Sequence, residues 1–422
     1  MENRGQELLE ELLGRLRCRQ ELTDEQIGCA IDELLSEEAH ERYLPLSERM
    51  TYRETLFNAL RRLDILQDLV DDDRITEIMI NGTDSIFIEQ GGAMTRSERR
   101  FTSREKLEDI VQQIAGRSNR SANEATAIVD ARLENGARVN IIMPPVALNG
   151  PVVTIRRFPD HPVDMRQLIR WGSISEEAAD FMRRLVVSGY NIFISGGTGS
   201  GKTTFLNALS DYIPKDERII TIEDNAELQI RGVENLVRLE ARKATEDGMH
   251  EITIRDLIRA SLRCRPDRII VGEVRGEETI DMLQSLNTGH DGSLSTGHGN
   301  SPQDMLSRLE TMVLMGLEIP LAAIRRQIAS GIDIIVHLGR MRDKTRKVLE
   351  ITEIDGYDPA SGEIRIHPIY EYRILGEDPA GKIRGELARV GQLNHVMKLE
   401  RAGVALPEEM ACLKQANRDS PG

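Results

Sequence analysis

The sequence predicts an α/β protein whose larger part is a doubly wound parallel sheet, and three observations carry that prediction. Short apolar runs recur through residues 176–340, at Asn191–Ser195, Arg218–Ile222, Arg268–Gly272, Gly292–Thr296 and Asp333–His337, with helical stretches between them. Residues 196–203 read Gly-Gly-Thr-Gly-Ser-Gly-Lys-Thr, which fits G-x-x-x-x-G-K-[ST]. The setting of that loop also fits: an apolar strand precedes it, and a helix is expected from Thr203 to Leu209. In such a sheet, ligands sit beyond the carboxyl ends of the strands.

Strand, glycine loop and helix together form a phosphate cradle. Backbone N–H groups of Gly196, Gly197, Thr198, Gly199, Ser200 and Gly201 can face phosphate oxygens, and the helix N-terminus adds its dipole. Lys202 is expected to reach the β- and γ-phosphates and Thr203 to offer its hydroxyl to Mg²⁺, with Thr204 beside it. ATP and Mg²⁺ are therefore the expected ligands. The alternative is a glycine-rich turn that binds nothing.

The 422 residues suggest two or three domains. A net charge of −15 argues against general attraction to nucleic acid or anionic lipid, and 4% aromatic residues argue against a base-stacking platform. No apolar stretch approaches the ~18–20 residues that span a bilayer, and the N-terminus lacks a signal-peptide core. Cys18, Cys29, Cys264 and Cys412 are scattered without a C-x-x-C pair, which suggests reduced thiols in a cytoplasm and no structural zinc.

Five segments are expected. Residues 1–65 read as a helical module, in which Thr23 is the expected N-cap and Gln26 completes a capping box. Residues 66–158 read as an α/β domain, with strands at 75–82, 85–89, 138–143 and 152–158 and a helix at 105–118. Residues 159–172 read as a linker because Pro162 lies among polar residues. Residues 173–355 hold the phosphate loop. Residues 356–422 read as a C-terminal extension; the hairpin expected over 341–375 crosses into it, and 384–422 are expected to be helical and then frayed.

Two acidic strand ends follow the loop. Arg218–Ile222 leads into Glu223 and Asp224, and hydrolysis needs a carboxylate to orient or deprotonate a water in line with the γ-phosphate. Glu223 is the candidate; a capping pair for the next helix is the other reading. Arg268–Gly272 ends in Glu273, the position of a Walker B acid that supports the metal. Arg275 could bind a γ-phosphate or pair with a neighbouring acid. His290 and His298, two of eight histidines, each follow a glycine. No Cys or third His is placed to complete a zinc site with them, so a neutral imidazole that hydrogen-bonds the γ-phosphate is the better reading.

Taken in order, the loop 196–203, the acidic box 221–224, the strand ending at Glu273 and the histidine box 290–298 resemble the type II/type IV secretion ATPase superfamily. The stretch Asp130–Asn140, the Pro144-Pro145 step and Thr154–Phe158 look like its tight-adherence (Flp) pilus assembly branch, near the conjugative ATPases. No paired-cysteine zinc module follows Glu273, and the acidic box continues Asn225-Ala226-Glu227 without Pro, which sets the chain apart from type II and retraction enzymes. The resemblance covers roughly residues 65–355.

It implies a RecA-like ATPase domain joined by a flexible linker to a PAS-like α/β domain, with ATP between them. It also implies a homo-hexamer in the cytoplasm, held at the inner membrane through a platform protein. Arg132, Arg138, Arg156 and Arg157 become candidates for the γ-phosphate, since a guanidinium fork matches phosphate oxygens and keeps its charge. In that scheme Glu223 activates water, Glu273 and Thr203 hold the metal, and His298 senses the γ-phosphate. Opening after hydrolysis is expected as a hinge motion about 159–172. The alternatives are a conjugation or effector-secretion ATPase and a non-hydrolysing ATP-gated scaffold.

Overall fold

The computed structural model describes residues 2–16, 22–157, 162–242, 244, 250–379, 381–407 and 409–410. The chain divides into two compact units, residues 1–160 and 161–422. Cys18, Cys412, Phe158 and the first part of the expected linker lie outside the described residues.

In the first unit, α1 (Glu2–Leu16), α2 (Asp24–Glu41) and α3 (Leu46–Arg61) enclose a core of their own, formed by Leu8, Leu12, Ile27, Ile31, Leu34, Leu35, Tyr52 and Leu56. The Thr23–Gln26 capping box is present: Gln26 N–H donates to Thr23 Oγ1 at 3.3 Å and Thr23 N–H donates to Gln26 Oε1 at 3.0 Å. After the short α4 (Gln67–Asp71) comes an antiparallel sheet of β1 (Ile75–Asn81), β2 (Ile86–Gln90), β3 (Ala93–Arg96), β4 (Ile128–Arg132), β5 (Arg138–Ile142) and β6 (Val152–Arg156). Its order is β3-β2-β1-β6-β5-β4. Helix α5 (Arg104–Arg117) packs Leu107, Ile110, Val111 and Ile114 into the same core as Ile78, Ile80, Val139 and Ile155.

In the second unit, α6 (Met165–Arg170) and α7 (Glu176–Val187) precede β7 (Ile192–Gly196), α8 (Lys202–Ser210), β8 (Ile219–Glu223) and β9 (Leu236–Glu240). Then follow α9 (Ile254–Ser261), β10 (Arg268–Val274), α10 (Glu278–Leu286), β11 (Leu294–Gly297), α11 (Pro302–Gly316), α12 (Leu321–Gly331) and β12 (Ile334–Arg340). The order β9-β8-β10-β11-β7-β12 is parallel throughout. Alternation decides which side each residue serves: Ile192 and Ile194 enter one core and Phe193 the other, so β7 is buried on both faces.

Three expectations need correction. Within the expected linker, Met165–Arg170 is helical, because Asp164 Oδ1 accepts the Gln167 N–H at 2.8 Å and Met165 and Leu168 are buried. The expected hairpin is longer: β13 (Arg346–Asp358) and β14 (Glu363–Glu377) are joined by β15 (Ile383–Arg389), and all three extend the sheet antiparallel from β12. Residues 383–389 are thus a strand and not a helix, since pairing with β14 overrides their weak local preference. Of the expected terminal helix, α13 (Met397–Ala402) is present, and Leu393, Leu399 and Met410 enter the core of the domain.

Candidate functional site

β7 runs straight into the phosphate loop. At Gly196, an added Cβ would lie 2.5 Å from both Leu338 O on β12 and Ser200 Oγ, so only glycine fits. Gly201 has φ 93° and caps α8 in the left-handed region, which aims the first N–H groups of the helix back toward the loop. Arg346, at the start of β13, donates Nε–H to Gly199 O at 2.9 Å. Across a planar trans peptide, that bond turns the Ser200 N–H away from Arg346.

Lys202 curls into its own loop. Its Nζ donates to Gly196 O at 3.1 Å and Gly197 O at 3.2 Å, and stands 3.3 Å from His298 Nδ1 and 4.0 Å from Glu273 Oε1. An ammonium only donates, so His298 Nδ1 accepts and the proton of the neutral ring sits on Nε2. Nε2 stands 2.9 Å from Glu273 Oε1. That oxygen is buried and accepts no hydrogen bond of good geometry. Burial pushes the His298 imidazole below its ordinary value, while Glu273 pulls it up and Lys202 and Arg275 push it down. Arg275 Nε donates to Glu273 Oε2 at 2.7 Å, and its Nη1 lies 3.7 Å from Asp224 Oδ2. Arg275 thus pairs with acids here.

Glu223 closes β8 and is 3% exposed. Its Oε1 accepts N–H bonds from Glu227 and Leu228, both at 2.8 Å, whereas its Oε2 is buried with no hydrogen-bond partner. Burial pushes its carboxyl up to about 7, against the downward pull of those two N–H groups. One oxygen of Glu223 thus caps the following turn, and the other is left without a hydrogen-bond partner. On β10, Gly272 gives it room, since a Cβ there would lie 2.9 Å from Glu223 Cγ.

Other candidates fall elsewhere. His290 Nδ1 lies 3.2 Å from Ser285 O at the end of α10, so one Gly-His pair reaches Lys202 and the other does not. In the first unit, Arg132, Arg138 and Arg156 are directly opposed across β4, β5 and β6 and form one row on a single face. Arg157 stands apart from that row. Its guanidinium bonds Asp72 O and Ile75 O and pairs with Asp73 at 3.0 Å.

Sequence reasoning missed Gly272 and Arg346. A glycine inside an apolar strand is the signal for the first, because it marks a close approach. Arg346 carries no such signal: it lies 147 positions from Gly199 and reaches it only through strand order.

A phosphate loop at the carboxyl end of a central parallel strand, with acids at the carboxyl ends of β8 and β10 in the same sheet, has the form of a P-loop nucleotide site. The chain belongs to the family described as "Type II/IV secretion system protein", whose model matches residues 60–371. It is 36% identical over 293 residues to a putative conjugal transfer protein of Mycobacterium tuberculosis, covering 68% of this chain and 83% of that one. It is 34% identical to the conjugal transfer protein TrbB of Rhizobium radiobacter, covering 68% and 86%, and 32% identical to the type IV secretion system protein PtlH of Bordetella pertussis, covering 67% and 91%. The fold is shared with the Legionella pneumophila ATPase DotB (TM-score 0.50, 20% identity, 70% and 81% covered) and with the pilus retraction motor PilT (TM-score 0.51, 22%, 66% and 78%). Among the described residues, no helix is long and apolar enough to cross a membrane.

Proposed function

We propose that this chain is an ATP hydrolase that powers assembly or export through a membrane platform. One observation carries the reading: the loop lysine, a neutral histidine and Glu273 converge, and Glu273 and the Glu223 that closes β8 each keep a buried oxygen without a hydrogen bond of good geometry. Such oxygens cost stability unless a ligand uses them, so they suit a metal-bound triphosphate and its water. Thr203 and Glu273 would hold Mg²⁺, which supplies Lewis-acid charge at the phosphates.

Lys202 exchanges its loop carbonyls for phosphate oxygens. Glu223 Oε2 takes a proton from the attacking water while Oε1 stays fixed by two N–H groups. His298 reports the γ-phosphate to Glu273 through its Nε2 edge. Arg132, Arg138 and Arg156 are the row that suits an anion in the first unit, and the antiparallel sheet order there supports the PAS-like reading.

The pilus reading rests on residues 130–140, 144–145 and 154–158. The names of the relatives support a conjugation or type IV secretion role equally. Flanking pilin and prepilin-peptidase genes favour the first, and their absence with conjugation genes favours the second. A hexamer in the cytoplasm at the inner membrane accompanies either reading.

The test is phosphate release by the wild type, Lys202→Ala and Glu273→Gln, with nucleotide-dependent sizing. Turnover in the wild type alone and an ATP-stabilised ring support the motor. Equal near-zero rates support the gated scaffold, and a monomer with normal turnover defeats the ring.

A further inference from the structure

Arg340 closes β12 and Arg346 opens β13, and the two are directly opposed in the antiparallel ladder. Directly opposed residues share a face, so two guanidinium groups stand side by side there. Like charges in that relation cost a sheet stability. Both arginines also border the phosphate loop. A Cβ on Gly199 would lie 3.8 Å from Arg340 Nη1, and one on Gly201 would lie 3.4 Å from Arg346 Cδ.

The two arginines differ in what they hold. Arg346 is engaged with Gly199 O. Arg340 is exposed and has no hydrogen bond or ion pair among the described residues. Nearby acids do not neutralise it: Asp343, in the turn of the same hairpin, accepts from Thr345 Oγ1 at 2.7 Å and from the Ile383 N–H at 2.8 Å. Glu377 pairs with Arg342.

We propose that Arg340 is a second phosphate-binding cation of the nucleotide site, carried to the loop at Gly199 by the β12–β13 hairpin. The proposal rests on the phosphate-loop reading above and extends it to a residue outside every motif. Lys202 holds the carbonyls of Gly196 and Gly197, whereas the Arg340 guanidinium lies beside Gly199, so the two cations flank different parts of one loop. A di- or triphosphate shared between them removes the repulsion between Arg340 and Arg346. The planar fork of Arg340 suits two oxygens of one phosphate, which an ammonium cannot match.

The test is calorimetric titration of the full chain with Mg²⁺ and an ATP analogue carrying a non-hydrolysable β–γ bridge, then with ADP and with adenosine. Losing a charged hydrogen bond to phosphate lowers affinity by about tenfold or more. Arg340→Ala is expected to bind analogue and ADP about tenfold more weakly, to bind adenosine as the wild type does, and to show a shallower salt dependence. Arg340→Lys is expected to recover only part of the loss. Full analogue affinity in Arg340→Ala, with binding abolished in Lys202→Ala, overturns the role of Arg340 and leaves the loop reading intact. No binding by the wild type overturns the loop reading itself. Thermal melts of the variants without nucleotide exclude misfolding, and Arg340→Ala is expected to melt no lower than the wild type.

Discussion

Glu223 and Gly272 touch across the β8–β10 ladder so closely that a single methyl group on the glycine would stand 2.9 Å from the glutamate Cγ. Gly272→Ala therefore pushes the carboxylate while two backbone N–H groups hold its other end. Misplacing a catalytic group by about 1 Å costs around a hundredfold in rate. Single-turnover hydrolysis is expected to slow by about that factor with nucleotide affinity unchanged. Equal turnover by Gly272→Ala and wild type removes Glu223 from the reaction.

The raised carboxyl of Glu223 predicts two opposite pH dependences. The proposed base works only when ionised, so turnover is expected to climb as pH rises through about 7. Stability runs the other way. Its folded value lies above the ordinary 4.5, so the native state binds this proton more tightly than the unfolded chain. That contribution is complete below 4.5 and is lost as pH rises through about 7. Relative to wild type, Glu223→Gln is expected to gain melting temperature from pH 5 to pH 8 while showing no turnover. Parallel melting curves across that range contradict the assignment.

His298 is pulled by its two neighbours in opposite senses, and separate removal of each reveals it. Glu273 raises its affinity for a proton and Lys202 lowers it. Ring titration followed by NMR is expected to shift down in Glu273→Gln and up in Lys202→Met. Shifts of the same sign in both variants exclude the arrangement seen here.

The C-terminal segment gives a stability prediction remote from the site. Buried Glu353 on β13 accepts the N–H groups of Asn394 and His395, each at 2.8 Å, and Tyr190 Oη donates to His395 O at 2.5 Å. Glu353→Ala leaves two N–H groups without their acceptor and is expected to cost about 2 kcal/mol in chemical unfolding. Glu353→Gln keeps one acceptor oxygen and is expected to fall between. Nucleotide affinity stays as in the wild type.

Much of the second unit was legible because its chemistry is local. The loop 196–203, Glu223 and Glu273 each sit within a few residues of the strand that positions them, so pattern and placement coincide. His298 was legible by type, and its placement differs from that of His290 because it follows the end of β11, whereas His290 follows helix α10. The C-terminal strands were not legible as a unit. Residues 383–389 are polar and alternate weakly, and they become a strand only because β14 offers an unpaired edge. Arg340 and Arg346 were invisible for a related reason: their meaning comes from cross-strand register and from a loop far away in the sequence.

β7 lies between β11 and β12, paired in parallel with both. The strand that ends in the glycine turn is thus laced on one side to the strand leading to His298 and on the other to the strand that delivers Arg340. Any strain born at the turn has about 5 Å of ladder to cross on either flank. The glycine turn is thus tied sideways, through hydrogen bonds already made, to the strand before His298 and to the strand that ends at Arg340.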